Sequence, residues 1–288
     1  MLPAMAVKPS IAIVGPGRLG QALAVELKRA GYTISEIVSR NTVASKRKAR
    51  ELARKVQARV STNNNAHLDV DLVWFCVPDR QIGAASRQLA SRIDWKNKTA
   101  FHSSGALASN ELKALWQRGA SVASVHPMMT FVSGSIPSLK GLPFAMEGDA
   151  AAVRIARKIV KGLGGEAFAI RKRHKAAYHA WGAFASPLLV AALVTGEKLA
   201  RLAGLSAAEA RKKMLPIIRQ TVANYETLGP AGAFSGPIVR GDAEIVHKHM
   251  QMLRKVPEAR AAYLALARAA LTYLPARNRG KLRRALEL

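Results

Sequence analysis

The sequence feature that most constrains the fold is a glycine-rich turn between two apolar segments near the start of the chain. Residues 11–14 are short, apolar and mostly β-branched, which is typical of a buried parallel strand. Gly15, Gly17 and Gly20 follow, and leucines then recur at helical spacing over residues 19–27. Strand, glycine turn and helix together are the context that the dinucleotide-binding fingerprint requires.

Each glycine of this turn has a separate predicted role. Gly15 permits the tight turn, Gly17 lets the backbone approach a pyrophosphate, and Gly20 lets the helix pack closely on the strand. The phosphates are expected on the free N–H groups of the helix start, which includes Arg18 and Leu19. The alternative is an ordinary strand–helix turn.

The end of the second predicted strand, residues 33–38, favours NADP over NAD. An NAD site usually has an acidic residue here, which binds the ribose 2′-hydroxyl. This chain has Ser39 and Arg40 instead, and a guanidinium matches the geometry of a phosphate. The alternative is that Arg40 is a solvated loop cation in a very basic protein.

Strands and helices alternate up to residue 170 and then give way to helices alone. Residues 1–170 are therefore predicted to form a doubly wound, mostly parallel Rossmann-type α/β sheet that binds the dinucleotide. Residues 171–288 are predicted to form an all-α domain for substrate binding and dimerisation. Its helices are expected near residues 172–203, 206–228, 241–253 and 257–273.

Polar residues at the predicted strand ends are the next candidates, because ligands of open α/β sheets lie beyond the carboxyl ends of the strands. Further cofactor contacts are expected near the third and fourth strand ends. The predicted residues are Val77, Pro78, Asp79, His102 and Ser103.

Two more strand-end residues are assigned to the chemistry. Ser104 is a candidate substrate ligand, and His126 is a candidate catalytic residue. For each of these histidines, including His102, a structural hydrogen bond is an equally good interpretation.

The first helix of the second predicted domain carries the main catalytic candidates. Lys175 and His179 are four residues apart, so they share a helix face at the predicted domain boundary. A lysine there can polarise a carbonyl or protonate it as hydride arrives, and His179 is the alternative proton donor. The alternative is that Lys175 is a solvated cation at the end of the basic segment 171–175.

Residues 176–196 contain no charged side chain and are long enough to cross a membrane. The stretch includes polar residues, and it is the only one of its kind in the sequence. Both features favour a helix buried in a soluble protein, with no membrane partner. We expect this stretch to support a homodimer built from the helical domain.

The single cysteine, Cys76, excludes an intrachain disulfide and favours a cytoplasmic location.

The formal net charge of +27 is spread along the chain. Residues 1–170 hold 24 Lys and Arg against 11 Asp and Glu, and residues 171–288 hold 21 against 7. This even distribution argues against a nucleic-acid partner and favours small anionic ligands. No metal site is predicted, because His247 and His249 point to different sides of a helix.

Several motifs resemble a Rossmann-like family of NADP oxidoreductases whose C-terminal half is a domain of unknown function. This family is related to pyrroline-5-carboxylate reductase, ketopantoate reductase and β-hydroxyacid dehydrogenases. The motifs span nearly the whole chain: residues 15–20 (GPGRLG), 101–105 (FHSSG), 125–128 (VHPM), 175–180 (KAAYHA) and 235–242 (SGPIVRGD).

The resemblance implies specific roles. Lys175 matches the lysine of the Lys-x-x-x-Asn pair of hydroxyacid dehydrogenases, but His179 stands where those enzymes have asparagine. A Ser/Gly/Pro-rich helix start binds the substrate carboxylate in the related reductases. Ser235, Gly236 and Arg240 fall in such a segment, and Ser186 completes the predicted substrate-binding set.

The sequence therefore predicts an NADP(H)-dependent oxidoreductase. It would transfer hydride between nicotinamide and a small carboxylate-bearing carbonyl, hydroxy acid or imine. The alternative is an NADP-binding sensor or partner protein without turnover, which the altered Lys-x-x-x-His pair favours.

Overall fold

A computed structural model of the chain describes residues 8–133 and 136–287. Within these residues, eight strands form one sheet. They are β1 (Ile11–Val14), β2 (Ile34–Ser39), β3 (Arg59–Thr62), β4 (Leu72–Phe75), β5 (Thr99–His102), β6 (Ser121–Pro127), β7 (Pro143–Gly148) and β8 (Glu166–Ala169).

The strand order across the sheet is β3-β2-β1-β4-β5-β6-β7-β8. All neighbouring pairs are parallel except β6 and β7, which run antiparallel. The order reverses between β1 and β4, and such a switch point opens a crevice at the carboxyl ends of the strands. The predicted doubly wound, mostly parallel sheet is confirmed.

Helices cover both faces of this sheet because each face is apolar. The first face carries α1 (Arg18–Arg29), α2 (Val43–Val56) and, later in the chain, α5 (Ala150–Gly162). The second face carries α3 (Asp79–Ala90) and the short α4 (Lys113–Trp116). Strands buried on both faces read as continuous apolar runs, which explains why the sequence pattern was informative here.

The remaining helices are α6 (Lys175–Ala185), α7 (Pro187–Leu202), α8 (Ala207–Ala233), α9 (Pro237–Arg240), α10 (Ala243–Leu253), α11 (Pro257–Tyr273) and α12 (Arg279–Leu286). No strand occurs after residue 169 in the part of the chain that the structure describes. The core that α10, α11 and α12 share is centred on Val246, Met250, Leu271 and Leu282. The helical character of this half is therefore confirmed.

The chain divides into two compact units, Met1–Ala183 and Phe184–Leu288. The sequence placed the division at residue 170, before α6, but the structure places it within α6. The physical reason is that the start of α6 is anchored to the sheet by two buried side chains, Lys175 and Tyr178.

The structure differs from the sequence interpretation in three added elements and one interrupted helix. The structure adds β3, α9 and α12, which are short or strongly basic and therefore lack a clear apolar period. The helix expected at 172–203 is interrupted at Ser186, whose backbone leaves the helical conformation before Pro187. Proline explains this break, because it disfavours helical geometry in the preceding residue.

The uncharged stretch 176–196 is not buried as predicted. Leu188, Val190 and Val194 on α7 are exposed, and so is Phe184. By length and composition, the helical segment Lys172–Leu202 could cross a membrane, and only 6% of its most apolar window is buried in this chain.

Candidate functional site

The glycine turn after β1 has the geometry expected of a phosphate-binding loop. Gly15 has a φ of +105°, which favours glycine, and a Cβ there would lie 2.7 Å from Cys76 O. A Cβ on Gly20 would lie on top of the Gly15 carbonyl oxygen. These two glycines are thus required by the turn itself.

Gly17 is different, because nothing in the protein requires a glycine at this position. Its backbone is extended, and the nearest atom to an added Cβ is Cys76 O at 3.9 Å. The first helical hydrogen bond of α1 is donated by Gln21 N–H to Gly17 O, which leaves the N–H groups of residues 18–20 without helical acceptors. An open helix start beside a bare Cα suits a phosphate that approaches the backbone closely.

A cavity of about 520 Å³ lies at this turn. The ends of β1, β2 and β4 form its wall, as the switch point of the sheet predicts. Its lining includes the predicted residues Gly15, Gly17, Ser39, Arg40, Val77 and Pro78. Arg18, Leu19 and Gly20 belong to the adjoining first turn of α1, and Asp79 begins α3.

The end of this cavity at β2 is rich in cations and hydrogen-bond donors. Arg40 and Lys48 both line it and both are exposed, and Thr42 caps the N-terminus of α2 beside them. Sequence reasoning missed Lys48 and Thr42. The signal that could have found them is the helix start itself, because Thr42 is an N-cap and Lys48 lies on the second turn.

The predicted Ser39 hydroxyl is less available than expected. Ser39 is buried, and its Oγ lies 3.3 Å from Ser61 O and 3.2 Å from Arg40 O. The hydroxyl therefore donates to backbone carbonyls at the sheet edge. Arg40, Asn41, Thr42 and Lys48 line this end of the cavity as exposed residues with donor groups.

The only carboxylate on β2 does not reach this cavity. Glu36 is fully buried and accepts hydrogen bonds from His67 N–H, Leu68 N–H and the Arg59 guanidinium. Burial opposes ionisation of this carboxyl, but the hydrogen bonds prevail and its pKa is lowered. A carboxylate at the end of β2, as an NAD site requires, is absent from the described lining of the cavity.

A second cluster of functional groups lies at the carboxyl end of β5 and on the residues of β6 and the antiparallel β7 beside it. His102, Ser124 and Glu147 are register neighbours on adjacent strands. All three are buried. His126 follows Ser124 on the same face of β6, because side chains alternate along a strand.

Lys175, at the start of α6, enters this cluster. Its side chain is only 2% exposed, and Nζ donates to Ser104 O at 2.7 Å and to Ser124 Oγ at 2.5 Å. Burial lowers the pKa of Lys175 to about 8, against the opposing charges of Glu147 and Asp79. The ammonium is thus hydrogen-bonded within the first unit, and the catalytic role of Lys175 remains a prediction.

His102 makes structural hydrogen bonds. The side chain is 0% exposed, its Nε2 lies 2.9 Å from Ala108 O, and its Nδ1 accepts from Ser104 N–H. Both ring nitrogens are thus used by the loop after β5, which favours the structural interpretation, and the cofactor contact of His102 remains a prediction. Burial lowers its pKa to about 4, which keeps the ring neutral.

The two serines after His102 are likewise engaged. Ser103 Oγ accepts from Trp74 Nε1 at 2.8 Å. Ser104 Oγ accepts from the N–H groups of Ala106 and Leu107, and its carbonyl receives Lys175. The Ser104 hydroxyl oxygen thus caps a turn, and the substrate contact of Ser104 remains a prediction.

His126 is more accessible than His102 and has a partner that the sequence interpretation missed. Its Nδ1 lies 2.7 Å from the hydroxyl oxygen of Tyr178, and the two rings pack edge to face. Burial lowers the pKa of His126 to about 4, and the charges of Lys175 and His179 act in the same direction. The signal for Tyr178 was its position one helical turn after Lys175, inside the 175–180 motif.

Gly105 lies against both His126 and His179. An added Cβ on Gly105 would be 2.9 Å from His126 Nε2 and 2.9 Å from His179 Cδ2. The structure thus brings His126, His179, Tyr178 and Lys175 together at the ends of β5 and β6. All four belong to the first unit.

The remaining predicted substrate residues belong to the second unit. Ser186 lies at the interruption between α6 and α7, and Ser235 and Gly236 precede α9, which ends at Arg240. Their substrate roles remain predictions. Among the described residues, no group of three or more His, Cys, Asp or Glu side chains is placed to hold a metal ion.

The fold and these two sites define the class as a Rossmann-type α/β domain followed by an all-α domain. Family models agree: a Rossmann-like domain matches residues 4–127, and a domain of unknown function (DUF2520) matches residues 142–270. The chain therefore joins a Rossmann-like domain to a DUF2520 domain, which confirms the resemblance seen in its motifs. A search of curated protein sequences gave no match.

Three solved structures illustrate the similarity. A proposed NADP oxidoreductase from Bacteroides fragilis is 23% identical, with a TM-score of 0.75 over 91% of this chain and 97% of its own. An imine reductase from Myxococcus stipitatus, in complex with NADP+, is 18% identical with a TM-score of 0.68 over 92% and 94%. A pyrroline-5-carboxylate reductase from Coxiella burnetii is 14% identical with a TM-score of 0.58 over 98% and 98%. At these identities the similarity establishes a shared fold.

Proposed function

We propose that this protein is an NADP(H)-dependent oxidoreductase that transfers hydride between nicotinamide and a small carboxylate-bearing carbonyl, hydroxy acid or imine. The observation that carries the proposal is the cavity beside the glycine turn, where an open helix start and a cationic end occur together. The structural neighbours with the same fold include proteins described with NADP+ or as NADP oxidoreductases. When bound, the cofactor would supply or accept the hydride.

The residues of the cavity fit this cofactor. None of the described residues requires a glycine at position 17, so the missing side chain leaves room for a phosphate. The N–H groups of residues 18–20 have no helical acceptors and can hold a pyrophosphate. Arg40, Lys48 and the capped start of α2 provide positive charge for a 2′-phosphate. Val77 and Pro78 supply apolar contact on the opposite side.

The first test is the preference for NADPH over NADH, measured as two dissociation constants by fluorescence titration. Arg40→Asp should weaken NADPH binding by about 1.5–3 kcal/mol, the value of a charge-assisted hydrogen bond, and affect NADH less. Lys48→Glu should act in the same direction. Equal affinity of the wild type for the two cofactors would contradict the proposal.

A matched control separates a local phosphate contact from general charge. Arg54 is an exposed cation on the same helix, α2, and does not line the cavity. Arg54→Glu makes the same change in net charge as Lys48→Glu. If both variants weaken NADPH binding equally, long-range charge explains the effect and the 2′-phosphate site is refuted.

The second test is turnover. A small anionic substrate is supported by the strongly basic composition of the chain. NADPH oxidation is followed by absorbance against a panel of 2-oxo acids and cyclic imines. Tight NADPH binding without turnover of any member would instead favour a binding protein that senses NADP(H).

We also propose that the protein is a homodimer formed through the helical domain. The support is the apolar surface of α7 and α8, where Leu188, Val190, Ile217, Val222 and Leu228 are exposed. Patches of this kind on soluble proteins mark interaction sites. Charged residues of α8 flank this surface, such as Lys212 and Lys213, and these suit a protein partner better than a lipid core.

Sedimentation equilibrium at micromolar concentration tests the dimer. Val190→Lys together with Ile217→Lys should dissociate it, whereas a monomeric wild type would contradict the proposal. Flotation with neutral lipid vesicles tests the alternative, in which the apolar surface of α7 and α8 binds a lipid membrane. A wild-type protein that stays in the soluble fraction also agrees with the proposed cytoplasmic location, and one that floats with vesicles does not.

A further inference from the structure

The second cluster contains a histidine–tyrosine pair that neither the motifs nor the family models assign. Tyr178 is buried, and its ring is enclosed by Phe168, Trp181 and His126 in edge-to-face contacts. Its hydroxyl lies 2.7 Å from His126 Nδ1. Among the described residues this is the one hydrogen bond that the Tyr178 hydroxyl makes.

The direction of this hydrogen bond follows from the needs of the phenol. A buried Tyr O–H requires an acceptor for its proton, and His126 Nδ1 is the acceptor within reach. The opposite direction, with Nδ1–H donating, would leave the phenol proton without an acceptor among the described residues. The hydrogen bond therefore selects the neutral tautomer of His126 that carries its proton on Nε2.

The Nε2 atom of His126 is free to bind a ligand. It makes no hydrogen bond within the described residues, and it is not among their buried unpartnered atoms. It lies beside Gly105, where an added Cβ would be 2.9 Å from Nε2. His126 therefore presents an N–H donor at the carboxyl end of β6.

Lys175 supports the neutral state of this ring and does not compete for its role. The ammonium of Lys175 donates to Ser104 O, in the loop after β5, and to Ser124 Oγ on β6, the strand that carries His126. The groups that face His126 are Lys175, Tyr178 and His179 from α6 and His102 from β5. None of these is an acid that would stabilise an imidazolium, so the surroundings of the ring favour its neutral form.

We propose that His126 donates its Nε2–H to the oxygen or nitrogen of the substrate's C=O or C=N group, and that Tyr178 is the positioning residue that fixes this tautomer. The inference rests on the proposed function. As the substrate carbon accepts hydride from NADPH, the heteroatom gains an electron pair and His126 Nε2–H stabilises the developing charge. A water proton completes the reduction, and the imidazole stays neutral throughout.

The first experiment needs no turnover. Long-range ¹H–¹⁵N correlation spectra of ¹⁵N-histidine protein at neutral pH report which ring nitrogen carries the proton, and His126→Gln assigns the resonances. We expect His126 to be protonated on Nε2 in the wild type and to become a mixture of tautomers in Tyr178→Phe. Protonation on Nδ1 or on both nitrogens in the wild type would overturn the inference.

The chain offers a matched control for removal of the hydroxyl. Tyr263 pairs with His249 in the second unit in the same way, with 3.2 Å between hydroxyl oxygen and Nδ1 and an edge-to-face ring contact. Tyr263→Phe should leave both the His126 tautomer and turnover unchanged. If Tyr263→Phe alters the His126 signals as much as Tyr178→Phe does, the effect is a general loss of structure and the inference fails.

The second experiment measures kcat and KM with any substrate found in the panel. Loss of one oriented donor reduces turnover by about 10²–10³, so His126→Leu should lower kcat by that order. His126→Gln keeps an N–H near the position of Nε2 and should recover part of the loss. Tyr178→Phe should lower kcat with little change in KM or in NADPH binding, and an unchanged kcat would refute its positioning role.

Failure of the inference can be told apart from failure of the proposed function. A wild type that binds NADPH but reduces no panel member would refute the oxidoreductase and the donor role together, while the tautomer spectra still decide whether Tyr178 fixes His126. A wild type that turns over while both His126 variants stay fully active would refute the donor role alone.

Discussion

Replacement of Lys175 by methionine should change how the stability of the protein depends on pH. Burial lowers the pKa of Lys175 to about 8 in the folded protein, against the usual 10.5 of an unfolded chain. Below pH 8 both states hold the proton, and the cost of burying the charge is constant. Between pH 8 and 10.5 only the unfolded state stays protonated, so the free energy of unfolding rises with pH.

The magnitude follows from the shift of the pKa. Each unit corresponds to about 1.4 kcal/mol, so the wild type should gain about 2.5 kcal/mol relative to Lys175→Met between pH 7 and pH 10. The methionine also leaves Ser104 O and Ser124 Oγ without their donor, which costs about 1–3 kcal/mol. This second effect does not depend on pH, so it moves the curve without changing its slope.

Urea unfolding followed by circular dichroism at several pH values measures the effect. The difference between wild type and variant is the useful quantity, because other titrating groups such as Cys76 and Tyr178 cancel in it. Lys172→Met is the matched control, since Lys172 is exposed three residues earlier. A difference that is flat from pH 7 to pH 10, or that falls with pH, would show that the Lys175 ammonium is not buried as described.

Two further predictions concern the first cavity and its neighbouring thiol. Gly20→Ala places a Cβ against the Gly15 carbonyl and should lower the free energy of unfolding by about 1–3 kcal/mol, as measured by urea unfolding. Gly17→Ala should leave the free energy of unfolding nearly unchanged but weaken NADPH binding, as measured by fluorescence titration. Equal stability losses would contradict the separate roles of these glycines. Burial raises the pKa of the Cys76 thiol, so alkylation by iodoacetamide should be slow in the native protein and become fast on unfolding, as followed by mass spectrometry.

Sequence pattern was sufficient for the layout of the first unit. The apolar runs of β1 and β4 are buried on both faces, so their composition alone marks them as central parallel strands. The glycine turn was equally readable, because Gly15 and Gly20 are required by local geometry that involves few other residues. The position of Arg40 after β2 followed from chain order, and the structure places it in the cavity wall.

The second cluster could not be derived in the same way, because its contacts join residues far apart in the chain. Lys175 and His102 look like free polar groups in the sequence, but the fold buries both and occupies their hydrogen-bonding atoms. The partnership of His126 with Tyr178 spans 52 residues and depends on where α6 crosses the sheet. No periodicity or spacing reports such a contact.

The sequence by itself thus determined the alternation of strands and helices up to residue 170 and the glycine turn, because these depend on local conformation and on which faces are apolar. Only the tertiary structure decided which polar groups are available for chemistry. Availability depends on burial and on hydrogen bonds that other elements supply, and these are properties of the packed chain. For this reason Lys175 and His102 are buried with their hydrogen-bonding atoms engaged, whereas His126 is only partly buried.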